Sequence, residues 1–163
     1  MKSYVLSVLV DNNPGVMTRV CGLFNRRGYN LDSVTAGVTE DERISRLTLT
    51  STVEAEEEMQ QIIRQIKKLE DVHKVILLDE NNSVCKEIVM VKVKAQGIER
   101  QEIINLTNIF RAAIVDVSTN TFTIEITGDR NKISAFIDIL EPFGIAEVVR
   151  SGFIAIKRGN ESI

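Results

Sequence analysis

The chain has no tryptophan, one histidine, two cysteines and two prolines among 163 residues, and only 5% of it is aromatic. A single histidine, His73, falls on a polar strand position and cannot build a histidine-based metal site. A Ser/His/Asp or Cys/His set would need Cys21 or Cys85 beside it, which their spacing does not suggest. The two cysteines form neither a disulfide framework nor a metal-ligand pattern and read as reduced, buried or half-buried thiols. Scarce aromatics argue against a sheet that stacks RNA bases. Net charge is −3 with a pI near 5.3, so no general basic field draws in nucleic acid or anionic membrane. No apolar run approaches the roughly 20 residues of a membrane helix, and the N-terminus lacks a signal-peptide core. A cytoplasmic protein is expected. What is present is 44% hydrophobic and 26% charged residues, enough for one ordinary globular domain or two small ones.

Periodicity divides the chain into two similar halves. Tyr4, Leu6, Val8 and Val10 alternate at strand spacing, and Val16, Val20, Leu23 and Phe24 follow at helical spacing until Gly28 ends the pattern. Leu31–Thr39 and Ile44–Thr50 read as strands around the turn Glu40-Asp41-Glu42. Ser51, three residues before Glu54, reads as a capping box. A helix with Met59, Ile62, Ile63, Ile66 and Leu69 inward follows, and then a strand over Val72–Leu78. After the polar break at 79–83 the order restarts. The spacing predicts a strand over Ile88–Ala95, a helix over Gln101–Arg111 and a hairpin of Ala113–Val117 with Phe122–Thr127. A helix marked by Ile133, Phe136, Ile137 and Leu140 stops before Pro142, and Ala146–Arg150 and Phe153–Lys157 close the chain as strands. The predicted class is α+β: two ferredoxin-like βαββαβ domains, residues 1–79 and 84–163, each an antiparallel sheet with helices on one face.

The segment Asp11-Asn12-Asn13-Pro14-Gly15-Val16-Met17 turns the first strand into the first helix using small polar residues. Pro14 suits the first helical position, and Gly15 allows close approach to the backbone. The N–H groups of Gly15, Val16 and Met17 fall in the first turn, where no helical carbonyl accepts them, and form a small positive pocket for a carboxylate. Gly28-Tyr29-Asn30 then places a second amide side chain at the start of the next strand. Asn12 and Asn13 also suit a plain turn or an N-cap. The acidic run Glu54–Glu58 complements a helix dipole rather than forming a metal site.

Several blocks in order resemble the regulatory small subunit of acetohydroxyacid synthase, also called acetolactate synthase. They are Leu6–Val10, Asn12-x-x-Gly15-x-x-x-Arg19-Val20, Gly22-Leu23-Phe24, Arg27-Gly28-Tyr29-Asn30 and Ser45–Thr48 in the first half. In the second half they are Lys86-Glu87-Ile88, Met90-Val91-Lys92, Ile109-Phe110-Arg111, Val115-Asp116-Val117 and Arg150-Ser151-Gly152. The resemblance implies an N-terminal ACT domain that binds valine or another branched-chain amino acid at a dimer interface. Asn12 would bond the effector's polar groups, Gly15, Val16 and Met17 its carboxylate, and Asn30 with Leu31 would close the site from the second subunit. An amide both donates and accepts, which suits a zwitterion.

The family also implies a non-catalytic subunit that activates a catalytic large subunit and confers feedback inhibition by valine. It is expected to form a homodimer or higher homo-oligomer. This chain would hold no cofactor or metal; thiamine diphosphate, Mg and FAD would belong to the partner. No nucleic-acid or membrane partner is expected. Small enzymes of the same topology that resemble acylphosphatase need an arginine in an amide-lined loop, whereas this loop holds Asp11, with Arg19 a full turn inside the helix. A free-standing ACT-type sensor acting on another partner is the alternative.

Overall fold

The alternating apolar residues of the N-terminus form a long central strand, and the remaining elements assemble around it. The structure, a computed structural model, describes residues 2–79 and 81–163, so Glu80 of the predicted polar break lies outside the described residues. The chain divides into two compact units. One holds the residues up to Cys85 together with Phe153–Ile163, and the other holds Lys86–Gly152.

The first unit contains β1 (Lys2–Asp11), α1 (Val16–Arg26), β2 (Ser33–Val38), β3 (Ile44–Val53), α2 (Glu56–Ile66) and β4 (Val72–Leu78). Its sheet is antiparallel in the order β2-β3-β1-β4. Leu6 lies opposite Leu49, and Val8 opposite both Leu47 and Val75. Residues directly opposite share a face. These apolar residues meet Val16, Val20 and Phe24 of α1 and Met59, Ile62, Ile63 and Ile66 of α2 in one buried cluster. Val5, on the reverse face, packs with Leu78 and Ala155 in a second, small cluster.

The second unit repeats the order: β5 (Ser83–Lys94), α3 (Glu99–Ile109), β6 (Ala113–Val117), β7 (Thr121–Gly128), α4 (Arg130–Leu140) and β8 (Ile145–Arg150). The strand order β6-β7-β5-β8 matches the first sheet position for position. Val89, Val91 and Val93 of β5 pack with Phe122, Ile124 and Ile126 of β7 and with Ile103, Ile133, Phe136 and Leu140 of the helices. The rings of Phe110 and Phe136 lie 5.1 Å apart, centroid to centroid. Both units therefore have the ferredoxin-like βαββαβ topology.

Three differences from the sequence reading have physical causes. The capping box at Ser51 and Glu54 is absent because β3 continues to Val53, which lies opposite Lys2. Ser51 is buried, and its hydroxyl donates to the Asn30 carbonyl at 2.6 Å. Helix α2 begins later, and Glu58 accepts from the backbone N–H groups of Glu54 and Ala55 at 3.1 and 3.4 Å. The closing strand β9 (Ile154–Lys157), read as part of the second half, does pair with β5, but Phe153–Ile163 group with the first compact unit, where Ala155 covers Val5 and Leu78.

The third difference is the start of β5, which begins at Ser83, inside the predicted polar break, rather than at Ile88, and has β9 as an additional pairing partner. Apolar spacing marked only the inner face of α4; its N-cap is Asp129, whose carboxylate accepts from the Lys132 N–H at 3.0 Å. That N–H, followed by the Lys86 ammonium, holds the Asp129 carboxyl below its ordinary range. A lowered carboxyl contributes stability that is complete above its unfolded value and lost as pH falls through its folded one. Asp129→Ala should cost about 1 kcal/mol near neutrality. The gap from the parent chain should narrow in acid, which urea titrations at neutral and acidic pH would measure.

Candidate functional site

The loop after β1 is built on a tight turn. Val16 N–H reaches back to the Asn13 carbonyl at 3.4 Å, with Pro14 and Gly15 as the two central residues and Gly15 at φ +84°, ψ −11°. Proline followed by a left-handed glycine is the signature of a type II turn. Pro14 thus lies ahead of the helix and not at its first position; Gly15 is the N-cap, and α1 starts at Val16. The Val16 N–H is spent within the turn. Among the described residues, the N–H groups of Gly15 and Met17 have no acceptor.

Asn12 ties this loop to the β2–β3 turn. Its backbone N–H donates to the Arg43 carbonyl at 2.7 Å, and its side-chain amide donates to the Glu42 carbonyl at 2.9 Å. Its side-chain oxygen accepts from the Ser45 hydroxyl at 3.0 Å. The amide has two donors and room for two acceptances, so half of its capacity remains for a ligand. The turn it grips is stiffened by Asp41, which accepts from the Arg43 N–H at 3.0 Å and from its guanidinium at 2.9 and 2.7 Å. That side-chain hydrogen bonding lowers the Asp41 carboxyl to about 2.

Asn30 stands elsewhere. It is exposed, its amide donates to Asp32 at 3.3 Å, and its carbonyl accepts from Ser51. Leu31 is half-buried against the core of the first unit. The bonds of Asn12 reach Ser45 and those of Asn30 reach Ser51, six residues apart along β3, or about 20 Å of strand. One chain therefore brings Asn12, Gly15, Val16 and Met17 together but leaves Asn30 and Leu31 at the opposite end of the sheet.

Sequence reasoning set Arg19 aside as lying inside the helix, but its side chain bends back toward the loop. A Cβ on Gly15 would stand 3.2 Å from Arg19 Nη1. The other guanidinium edge is held by Asp71, whose Oδ2 accepts from Nε at 2.9 Å and lies 2.7 Å from Nη2. The Asp71 carbonyl accepts from the Asp11 N–H at 2.9 Å, and Asp11 pairs with His73 at 2.6 Å. The Asn-x-x-Gly-x-x-x-Arg spacing carried this signal, because i and i+4 on a helix lie on one face and the side chain leans toward the N-terminus. Nearby, burial pushes the Cys21 thiol above its ordinary value, which disfavours the reactive thiolate. Among the described residues, no group of three or more His, Cys, Asp and Glu could hold a metal ion.

The first βαββαβ unit is an ACT domain: residues 6–74 match the ACT domain of the AHAS small-subunit type. Residues 86–159 match the small subunit of acetolactate synthase. A probable acetolactate synthase small subunit of Archaeoglobus fulgidus is 47% identical over 159 residues, covering 97% of this chain and 98% of its own. The acetolactate synthase small subunit of Mycolicibacterium smegmatis is 44% identical over 161 residues, covering 99% and 94%. The crystal structure of the small subunit from Thermotoga maritima superposes with a TM-score of 0.88 at 39% identity, covering 99% of this chain and all of that one. The chain belongs to the acetolactate synthase small-subunit family.

Gly15→Ala tests the loop geometry. A left-handed φ costs an L-residue about 1–2 kcal/mol, and the added methyl meets Arg19 Nη1. Urea denaturation should show a loss of that size, while Gly22→Ala, with open space around it, should show none.

Proposed function

We propose that the chain is the non-catalytic regulatory subunit of an acetolactate synthase, that it raises the activity of the catalytic subunit, and that it lowers this activity when valine binds. Valine, or another branched-chain amino acid, sits with its carboxylate at the backbone of residues 15–17, where Gly15 and Met17 rather than Val16 have N–H groups to offer, and with its polar groups near Asn12. Asn30 and Leu31 of a second copy close the site. Thiamine diphosphate, magnesium and flavin belong to the catalytic subunit.

The observation that carries this reading is the placement of the two asparagines at opposite ends of one sheet beside the edge strand β2. Among the described residues, β2 pairs only with β3. An unpaired edge is a template for another strand. If two copies join β2 to β2 antiparallel, the Ser33 end of one strand meets the Val38 end of the other. Val38 lies opposite Ser45, the residue bonded to Asn12. Asn30 of each copy is thereby carried toward the Asn12–Gly15 loop of its neighbour. Val34 and Val38 are 37% and 56% exposed, apolar surface that such pairing would cover.

Isothermal titration of the purified protein with valine, isoleucine, leucine and threonine tests the sensor. Saturable valine binding that is lost in Asn30→Ala is expected; no binding by any of the four, with or without the catalytic subunit, would overturn it. Reconstitution tests the regulation. Added chain should raise the catalytic subunit's turnover, and valine should reverse that gain by about 5–150-fold at most, the usual span of allosteric coupling.

A further inference from the structure

We infer that Arg19 reads the carboxylate of the effector, with Asp71 as the group that orients it. This rests on the proposal that the loop after β1 binds an amino acid, and it names the residue that makes a free carboxylate a requirement. The guanidinium has five donors in a rigid fork. Asp71 occupies one edge, through Nε and Nη2 at a single oxygen. Nη1 reaches back to Gly15, 3.2 Å from where a Cβ on that residue would stand. Among the described residues, no acceptor takes its two N–H groups. They stand beside Gly15, whose own N–H is also unspent.

An oxyanion placed there would receive charge-assisted hydrogen bonds from the fork and neutral ones from the backbone, and the former are roughly twice as strong. Asp71 is 24% exposed and Arg19 47%, so solvent does not fully screen the pair, and Asp71 limits the guanidinium to one orientation. Gly15 serves a second purpose in this arrangement: any side chain there would push Nη1 away. The other carboxylate nearby, Asp11, is turned to His73 and does not compete for the fork.

Titration calorimetry with valine and with valinamide, which lacks the carboxylate, on the full chain tests this. Arg19→Gln should weaken valine by about 10- to 100-fold, while valinamide, weak on the parent chain, should not weaken further. Arg19→Lys should recover part of the loss. The Arg19→Gln/Asp71→Asn double variant removes any repulsion from an unpaired Asp71 and should remain weak. Parent-like valine affinity in Arg19→Gln or in the double variant would overturn the assignment. So would equal binding of valine and valinamide by the parent chain. A parent chain that binds neither valine nor its branched-chain relatives, alone or with the catalytic subunit, would overturn the sensor itself.

Discussion

The ten-residue antiparallel ladder between β1 and β3 sets the position of almost everything described here. Lys2 lies opposite Val53 at one end and Asp11 opposite Ile44 at the other. A slip of one residue would turn Leu6, Val8 and Val10 out of the core and bring Val5, Ser7 and Leu9 in. It would also move Asn12 off the β2–β3 turn, since its bonds to Glu42, Arg43 and Ser45 depend on the strand ending where it does. The same ladder fixes the separation between the Asn12 loop at one end and Asn30, bonded through Ser51, at the other.

That separation gives the first unit its functional logic. One chain holds a loop with unspent amides and a half-used asparagine, and it places Asn30 at the far end of the same sheet. The edge strand β2 runs between them with one side open among the described residues. Under the proposed function, a ligand that bridges two copies would favour one arrangement of the pair over others. The electrostatic groups around the loop are arranged in pairs: Arg19 with Asp71 and His73 with Asp11. Each acid thus has its own base, and the unshared guanidinium edge faces Gly15.

The second unit repeats the plan with a different sequence. Its central strand β5 places Val89, Val91 and Val93 where β1 places Leu6, Val8 and Val10, and its helices contribute Ile103, Phe136 and Leu140. No loop in it repeats the Asn-x-x-Gly arrangement. Gly97, at φ +52°, precedes α3 much as Gly15 precedes α1, but it follows Ala95-Gln96, and a second left-handed residue, Arg111 at φ +54°, lies after the helix. One topology therefore carries the Asn-x-x-Gly loop in one unit and not in the other, as expected where function lies in sites grafted on folds.

Each α-helix and strand of both units was located by apolar spacing, because one-sided burial writes a period of 2 or 3.6 into the sequence; the 3-10 turn at Glu141–Phe143 and the first residues of β5 were not. The loop was legible as a strand-to-helix turn, but Pro14 reads from sequence as the first helical residue, whereas Pro14-Gly15 form a type II turn ahead of the helix. Local pattern could not decide how far β3 runs. Ser51 and Glu54 satisfy a capping rule on paper, but pairing with Lys2 and the bond to Asn30 outweigh it. The attachment of β9 to the first unit, the commitment of Asn12 to a turn 30 residues away, and the return of Arg19 to Gly15 under the hold of Asp71 were also undecided. The sequence by itself determined the elements, the two cores and the loop chemistry, because these rest on neighbours within a few residues. Tertiary structure alone decided which side chains the loop keeps free, because those partners meet only when β1, β3 and β4 pair in register.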